Sequence, residues 1–333
     1  MATATSYNVA GNREQILDVL TILEPEETPV VSMAKKLPAT ATFVEWQVDN
    51  MSAPAFGGVN EGEDVSSFDN KAINRTKLGN YVQKFRRQWM VSDIQELVNT
   101  AGVSSEVANS EAKSMRELKR DLESAICSTQ DRQAEAGSGT PYKTRGLGSW
   151  LANGGTAGSA PSDLPAAFQL PAASLDSNAT VSEANFNAVV QSRYETVGSA
   201  NAKLTLVAAP DLKAQISNFT RAEGTSRAIN YHVNQEASSK TVTLSVNVYD
   251  GDFGLVNIVP SLFNNRTSGS NTIDDDWGYL IDPDLIGLCV LKAESNTELE
   301  NQGGGRRGYT DVIAGLACFN PLGFGVSKDN LNL

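Results

Sequence analysis

The chain is poor in histidine, cysteine and positive charge. Its one histidine, His232, stands in a polar stretch, AINYHVNQ. A single imidazole rules out a histidine-rich metal centre and allows one catalytic triad at most. A surface polar residue is the simpler reading. Three cysteines, Cys127, Cys289 and Cys318, lie far apart with no CxxC spacing. They read as small buried hydrophobes in a reducing compartment and not as a metal site. Lys and Arg number 27 against 39 Asp and Glu, a formal net charge of −12. Such a chain lacks the basic footprint of a nucleic-acid binder, so no specific nucleic-acid binding is expected. No window approaches eighteen apolar residues, so no membrane span is expected. The start, MATATSYNVAGNREQIL, has neither a basic n-region nor a long apolar run. It therefore reads as a cytoplasmic product without a signal peptide.

Motifs that carry chemistry are equally scarce. GSGTPYKT (137–144) resembles a phosphate loop, but Tyr142 occupies the glycine position before the lysine and no clear strand precedes it. Asp274, Asp275 and Asp276 form an acidic run without the alternate ligand spacing and closing Glu of a calcium loop. Nothing selects a catalytic pair among 39 acidic residues. No catalytic residue, cofactor or metal is assigned, and the chain does not read as an enzyme.

What is present is architecture. The 333 residues, 40% hydrophobic and 20% charged, are globular in composition and suffice for two domains or one elaborate one. FVEWQV (43–48) alternates as a strand, and so does NYVQKFRRQWMV (80–91). Between them, 50–79 has no period and carries Pro54 and four glycines, a length unusual for a connection inside a compact domain. SSEVANSEAKSMRELKRDLESAICSTQ (104–130) predicts a long helix. Its apolar stripe is Val107, Ala108, Ala112, Met115, Leu118, Leu122, Ala125 and Ile126. Lys113–Glu117 and Lys119–Glu123 are i,i+4 pairs assigned to its wet side. A shorter helix is expected over 12–23. Residues 134–180 read as aperiodic loop. Helices at 182–198 and 211–220, and strands at 203–210, 241–250 and 255–261, follow. Two last strands flank a charged glycine-rich tip, NTELENQGGGRRG (296–308). Helices and strands interleave without a regular βαβ rhythm, so the fold class is α+β.

The pattern divides the chain into an N-terminal arm (1–38), a long extended hairpin (39–92), a segment with the spine helix and a Gly/Pro/Ala-rich connection (93–180), a compact α/β region (181–285) and a second hairpin with the C-terminus (286–333). Two projecting hairpins need partners for their strands and tips, which further copies of the chain would supply.

Particular phrases resemble the major capsid (major head) proteins of tailed bacteriophages, which have the Hong Kong 97-type fold. They are ETPVVSMAKKLPATATFVEWQVDNMSAPA (27–55) with EGED (61–64), RTKLGNYVQKFRRQWMVSD (75–93), RELKRDLESAI (116–126) and DVIAGLACFNPLGFG near the end. The resemblance covers nearly the whole chain in order, and is weak over 134–180. It implies self-assembly through hexameric and pentameric capsomers into an icosahedral head around double-stranded DNA, and a place in the virion. It implies a hairpin tip that meets its equivalents at local three-folds. It also implies portal and decoration partners and, because only a short arm precedes the body, a separate scaffolding protein. Lys71 and Lys77 lie in the loop where some such proteins form Lys–Asn cross-links, but no matched acceptor motif is present and no cross-link is expected. A tail-tube subunit or an encapsulin-like cellular shell is the alternative.

On this reading the long loop is an arm laid across a neighbouring subunit. Trp46, Phe56, Phe68 and Trp89 would anchor it, although Trp46 and Trp89 are equally expected as cross-strand partners within one chain. Glu61, Glu63, Asp64 and Asp69 form an acidic half, and Lys71, Arg75 and Lys77 a basic one, with Lys84, Arg86 and Arg87 on the return strand. Glu298, Glu300, Arg306 and Arg307 would pair between hairpin tips around a three-fold.

Overall fold

A computed structural model describes residues 27–71, 75–98, 100–152, 161–176, 181–198, 203–219, 246–264 and 277–328. The helix expected at 12–23, His232 and the run Asp274, Asp275 and Asp276 lie outside these residues, as does 241–245 of the expected strand.

Pro29 opens α1 (Pro29–Met33) at a position where its missing N–H costs nothing. β1 (Lys35–Pro38) and β2 (Phe43–Val48) follow. The return run is two strands, β3 (Thr76–Tyr81) and β4 (Gln83–Val91), separated at Val82. α2 (Asp93–Leu97) is capped by the Ser92 hydroxyl and α3 (Glu106–Ile126) by that of Ser105. At 21 residues α3 is about 32 Å long.

The 134–176 stretch, read as loop, contributes core. α4 (Leu147–Trp150) is wholly buried, and Leu151, Phe168 and Leu170 are buried with it. Its aromatic and leucine residues are spaced by turns and not by a helical or strand period, which hid them from pattern reading. β5 (Leu175–Asp176) leads to α5 (Glu183–Val197), which Ser182 caps and Gly198 ends with a left-handed φ of 72°. β6 (Lys203–Ala208), α6 (Pro210–Asn218), β7 (Val248–Gly251) and β8 (Gly254–Pro260) come next. β7 and β8 are the hairpin expected across DGDFG. β9 (Trp277–Ile281), β10 (Ile286–Leu299), β11 (Arg306–Cys318) and β12 (Gly325–Lys328) complete the chain.

The described strands form three sheets. A four-stranded sheet has the order β1-β10-β11-β4, a six-stranded sheet β5-β12-β9-β6-β8-β7, and β2-β3 stand as a pair. α3 lies on the four-stranded sheet, and their shared core includes Leu118, Leu122, Ile126, Leu288, Val312 and Leu316. α5 and α6 cover the six-stranded sheet through Phe186, Val190, Leu212 and Ile216.

Two expectations about side chains fail. Trp46 is opposite Leu78 in β2–β3, whereas Trp89 is opposite Gly308 in β4–β11, so they are not cross-strand partners. The chain switches sheet at Val82 while its alternation continues, and the sequence therefore reads as one strand. On α3, Ala108, Ala112 and Met115 are exposed, while Ser114 and Glu123 are buried. Glu123 therefore does not pair on a wet face with Lys119, which lies 3.9 Å from Glu294 instead.

Candidate subunit interface

The extended loop leaves the body at Asp49 and returns at Arg75, and every residue from 51 to 71 is exposed. Phe56 is 99% exposed and Phe68 89%, and Met51, Val59 and Val65 are exposed beside them. Five large apolar side chains without cover on one limb form a surface that water penalises. Among these groups the loop carries Glu61, Glu63 and Asp64, all exposed.

Several of the charges expected to face a neighbour are engaged at home. Arg75 pairs with Asp49 at 3.4 Å and Lys77 lies 3.6 Å from Glu45, closing the neck of the loop. Lys71 pairs with Asp69 at 3.3 Å. Arg87 chelates Asp121 of α3 through two bonds of 2.5 and 2.6 Å. Arg86 is exposed on β4.

The root is held by a dense set of contacts. The Trp46 indole N–H donates to the Phe319 carbonyl at 3.1 Å, and its ring lies 5.7 Å from that of Trp150. Trp46 is thus an internal anchor that fixes the neck. Phe43, Tyr81 and Tyr142 stack in series, with centroids 4.6 and 5.6 Å apart. The Arg132 guanidinium covers Phe43 and donates to the Gly79 carbonyl at 2.6 Å. A Cβ at Gly79 would stand 2.6 Å from the Phe43 ring, so glycine is required there.

Buried Asn80 ties β3 to two other segments. Its amide donates to Thr144 Oγ1 (3.0 Å), the Arg145 carbonyl (3.2 Å) and the Leu316 carbonyl (2.7 Å). Its oxygen accepts from the Arg145 N–H at 2.8 Å. Arg145 is fully buried, lies over Trp150 and donates to Asp131 and Asp163, each at 2.6 Å. Burial pushes the Asp163 carboxyl up, but its bond to Arg145 and the charges of Arg145 and Arg132 prevail and hold it below the usual range. A cavity of about 140 Å³ lies at this root, between Phe43, Lys77, Arg132 and Trp150. No sequence signal marked Asn80 or Arg145, because the bonds that join them to each other and to Leu316 span 65 and 236 residues.

The hairpin tip lies across the sheet. Trp89 is buried against Gly308, and its indole N–H donates to Asn296 Oδ1 at 3.1 Å. It anchors the tip within the chain. Arg306 makes two bonds to Glu298, at 2.7 and 3.1 Å, and Arg307 donates to the Glu300 carbonyl at 3.0 Å. Gly305 has φ 117°, and a Cβ there would meet the Val91 carbonyl oxygen at 2.2 Å. Beneath the hairpin, buried Asp311 accepts from Lys292 at 2.6 Å and Ser295 at 2.9 Å, with Lys84 at 3.4 Å. Of the residues the sequence singled out, Phe56, Glu61, Asp64, Phe68 and Arg86 stay exposed, and exposed Glu63 accepts only from the Asn60 N–H of its own loop, at 3.3 Å.

A limb without apolar cover, set on a rigid root beside a two-sheet body, matches a known class of proteins. The profile of the SU10 major capsid proteins matches residues 2–330. The chain belongs to that family. It is 29% identical over 128 residues to the major capsid protein of Escherichia phage Phieco32, a match spanning 38% of this chain and 36% of that relative's length. The Cyanophage A-1(L) capsid asymmetric unit superposes with a TM-score of 0.64 at 14% identity, over 98% of both chains. The holo-SrpI encapsulin complex from Synechococcus elongatus PCC 7942 gives 0.55 at 10% identity, over 98% of this chain and 96% of that one. The fold is the Hong Kong 97-type capsid fold, of mixed α+β class. Within this family the extended loop and the hairpin tip become candidate contacts between copies of one subunit.

Proposed function

We propose that this SU10-family member is the major capsid protein of a tailed phage. It assembles through hexameric and pentameric capsomers into the icosahedral head that encloses a double-stranded DNA genome. Its role is structural and non-enzymatic, and its place is the virion. The observation that carries the reading is the exposed limb 51–71 with Phe56 and Phe68 uncovered. The limb lies across a neighbouring copy, whose surface covers the two phenyl rings. The acidic groups Glu61, Glu63 and Asp64 set its register against cations of that copy. Trp46 and Trp89 support this interface from within their own chain.

The parts are the N-terminal arm (1–38), extended loop (39–92), peripheral domain (93–180), axial domain (181–285) and peripheral hairpin with C-terminus (286–333). β4 belongs to the expected loop segment yet completes the four-stranded sheet, while the loop itself projects from the separate β2–β3 pair. The hairpin tips meet around three-folds. The Arg306–Glu298 pair within each tip presents a neutral, shaped end there. Scaffolding, portal and decoration proteins are the further partners. The net charge of −12 suits a lumen that does not glue DNA to its wall.

The test is to replace residues 51–71 by a short Gly-Ser turn and express the chain with its genomic neighbours. Sedimentation and negative-stain imaging then report shells or rings. The replaced chain should fold and fail to close shells. Normal heads from it would refute the role of the limb. An encapsulin-like compartment shares the fold but not the family, and phage packaging genes beside this one would separate the two.

A further inference from the structure

Two buried donors meet at the cavity in the root of the limb. Arg145 directs Nε to Asp131 and Nη2 to Asp163, each at 2.6 Å. Its Nη1 is buried and has no hydrogen-bond partner among the described residues. The same holds for the indole N–H of Trp150, a residue that is itself fully buried. Both residues line the cavity, and the Arg145 guanidinium lies 4.7 Å from the centre of the Trp150 ring. A buried donor without an acceptor is costly and rare in native folds, and here two fall at one place.

The charges around them set the kind of acceptor. Lys77, Arg132 and Arg145 line the cavity together with Glu45 and Asp163, an excess of one positive charge. Asp163 is bonded to Arg145 and lies 2.8 Å from Arg132, and Glu45 lies 3.6 Å from Lys77. Asp131, the other partner of Arg145, is more than half exposed, so water screens its charge. A dianion would meet two carboxylates at close quarters, whereas a single negative charge matches the excess. We propose that the cavity is a binding site for one carboxylate group, whose oxygens accept from Arg145 Nη1 and Trp150 Nε1. Water is the simpler occupant, but it brings hydrogens that need acceptors of their own, and a carboxylate brings acceptors only. Liquid water takes about 30 Å³ per molecule, so a cavity of about 140 Å³ has room for acetate. Lys77 and Glu45 are exposed, which puts the entrance at the neck between β2 and β3. A carboxylate bound there ties the neck of the limb to α4.

The test is nuclear magnetic resonance on the unassembled full-length chain at pH 7, titrated with sodium acetate against sodium chloride at constant ionic strength. The chain has four indole N–H signals, and the one lost in Trp150→Phe is that of Trp150. Acetate should move it downfield along a saturable curve, and chloride should not. The Trp89 indole, bonded to Asn296, serves as the internal reference. Saturation transfer to the acetate methyl group reads the variants. Trp150→Phe keeps the ring and removes one donor to a charged acceptor, so half-saturation should rise about tenfold or more. Lys77→Gln, at an exposed position, removes the excess charge and should raise it a few-fold. A peptide of the limb, GVNEGEDVS (58–66), separates two sources of the group. Binding tighter than acetate assigns the carboxylate to a second copy of the chain, and weaker binding assigns it to a solute. No saturable acetate shift in the parent chain would overturn the proposal and leave water as the occupant. So would an equal response to chloride, or parent-like acetate binding by Trp150→Phe.

Discussion

Phe56 and Phe68 allow a clean separation of assembly from folding. Both touch water over nearly their whole surface in the single chain, at 99% and 89% exposure. Replacing both with alanine removes no contact within the subunit, so its stability should change by no more than about 0.5 kcal/mol. Full burial of one phenyl ring against a neighbour is worth about 1.5–3 kcal/mol. The pair then contributes about 3–6 kcal/mol to each arm contact, an association constant larger by roughly 10²–10⁴. Shell closure repeats that contact at every subunit, so the deficit is not recovered by raising concentration modestly. Sedimentation velocity should show the variant as free subunits or small rings where the parent forms shells, with coincident urea unfolding curves for the two subunits. Parent-like assembly of Phe56→Ala/Phe68→Ala would refute the idea that these rings are covered by a neighbour. A lowered urea midpoint would refute the claim that they contact nothing in their own chain.

Trp89 should behave in the opposite way. Trp89→Ala opens a hole over Gly308, should cost about 3–5 kcal/mol, and should be read as a lower urea midpoint of the unassembled subunit. Asn80→Ala strands the Arg145 N–H and the Leu316 carbonyl, and should cost about 2–4 kcal/mol by the same assay. Burial pushes Asp311 up, but its bonds to Lys292 and Ser295 prevail and hold it below its ordinary value. It stabilises the fold above its unfolded pKa, and that contribution is lost as pH falls through the folded one. The gap in urea midpoint between the parent and Asp311→Asn should therefore narrow below about pH 4. Exchanging the tip charges, Glu298→Arg with Arg306→Glu, keeps a solvent-screened pair of opposite charges, so subunit stability should be unchanged. If tips meet around three-folds, shell yield should fall, and an unaltered yield would remove the tip charges from the interface.

The spine helix was legible because twenty residues of 3.6-period pattern outweigh local noise, and Ser105 marks its start. The orientation of its N-terminal half was not. Ala108 and Ala112 fit either face of a helix, and they extended the stripe onto a side that proves exposed. Glu123 was misplaced because an acid four residues after a lysine looks like a surface pair. The countersignal was its position directly after Leu122 and three before Ile126, inside the apolar arc. The loop was legible as an anomaly of length. Which of its aromatics face outward was not, since tryptophan and phenylalanine have the same pattern value whether they anchor a root or await a partner. Trp46 is placed by its bond to the Phe319 carbonyl, 273 residues away, and Trp89 by strand register with Gly308, 219 residues away. Pairing at that separation leaves no local trace.

The neck and the limb differ in how firmly the chain holds them. Asn80, Trp46 and Arg132 fix where the limb departs, whereas residues 51–71 make few bonds to the body that supports them. If the limb lands on a neighbouring copy as proposed, the direction of launch is a property of the subunit and the path beyond it a property of the landing place. One sequence so built would meet neighbours at more than one angle without repacking its core, and curvature would fall on the part of the chain least bound to the body.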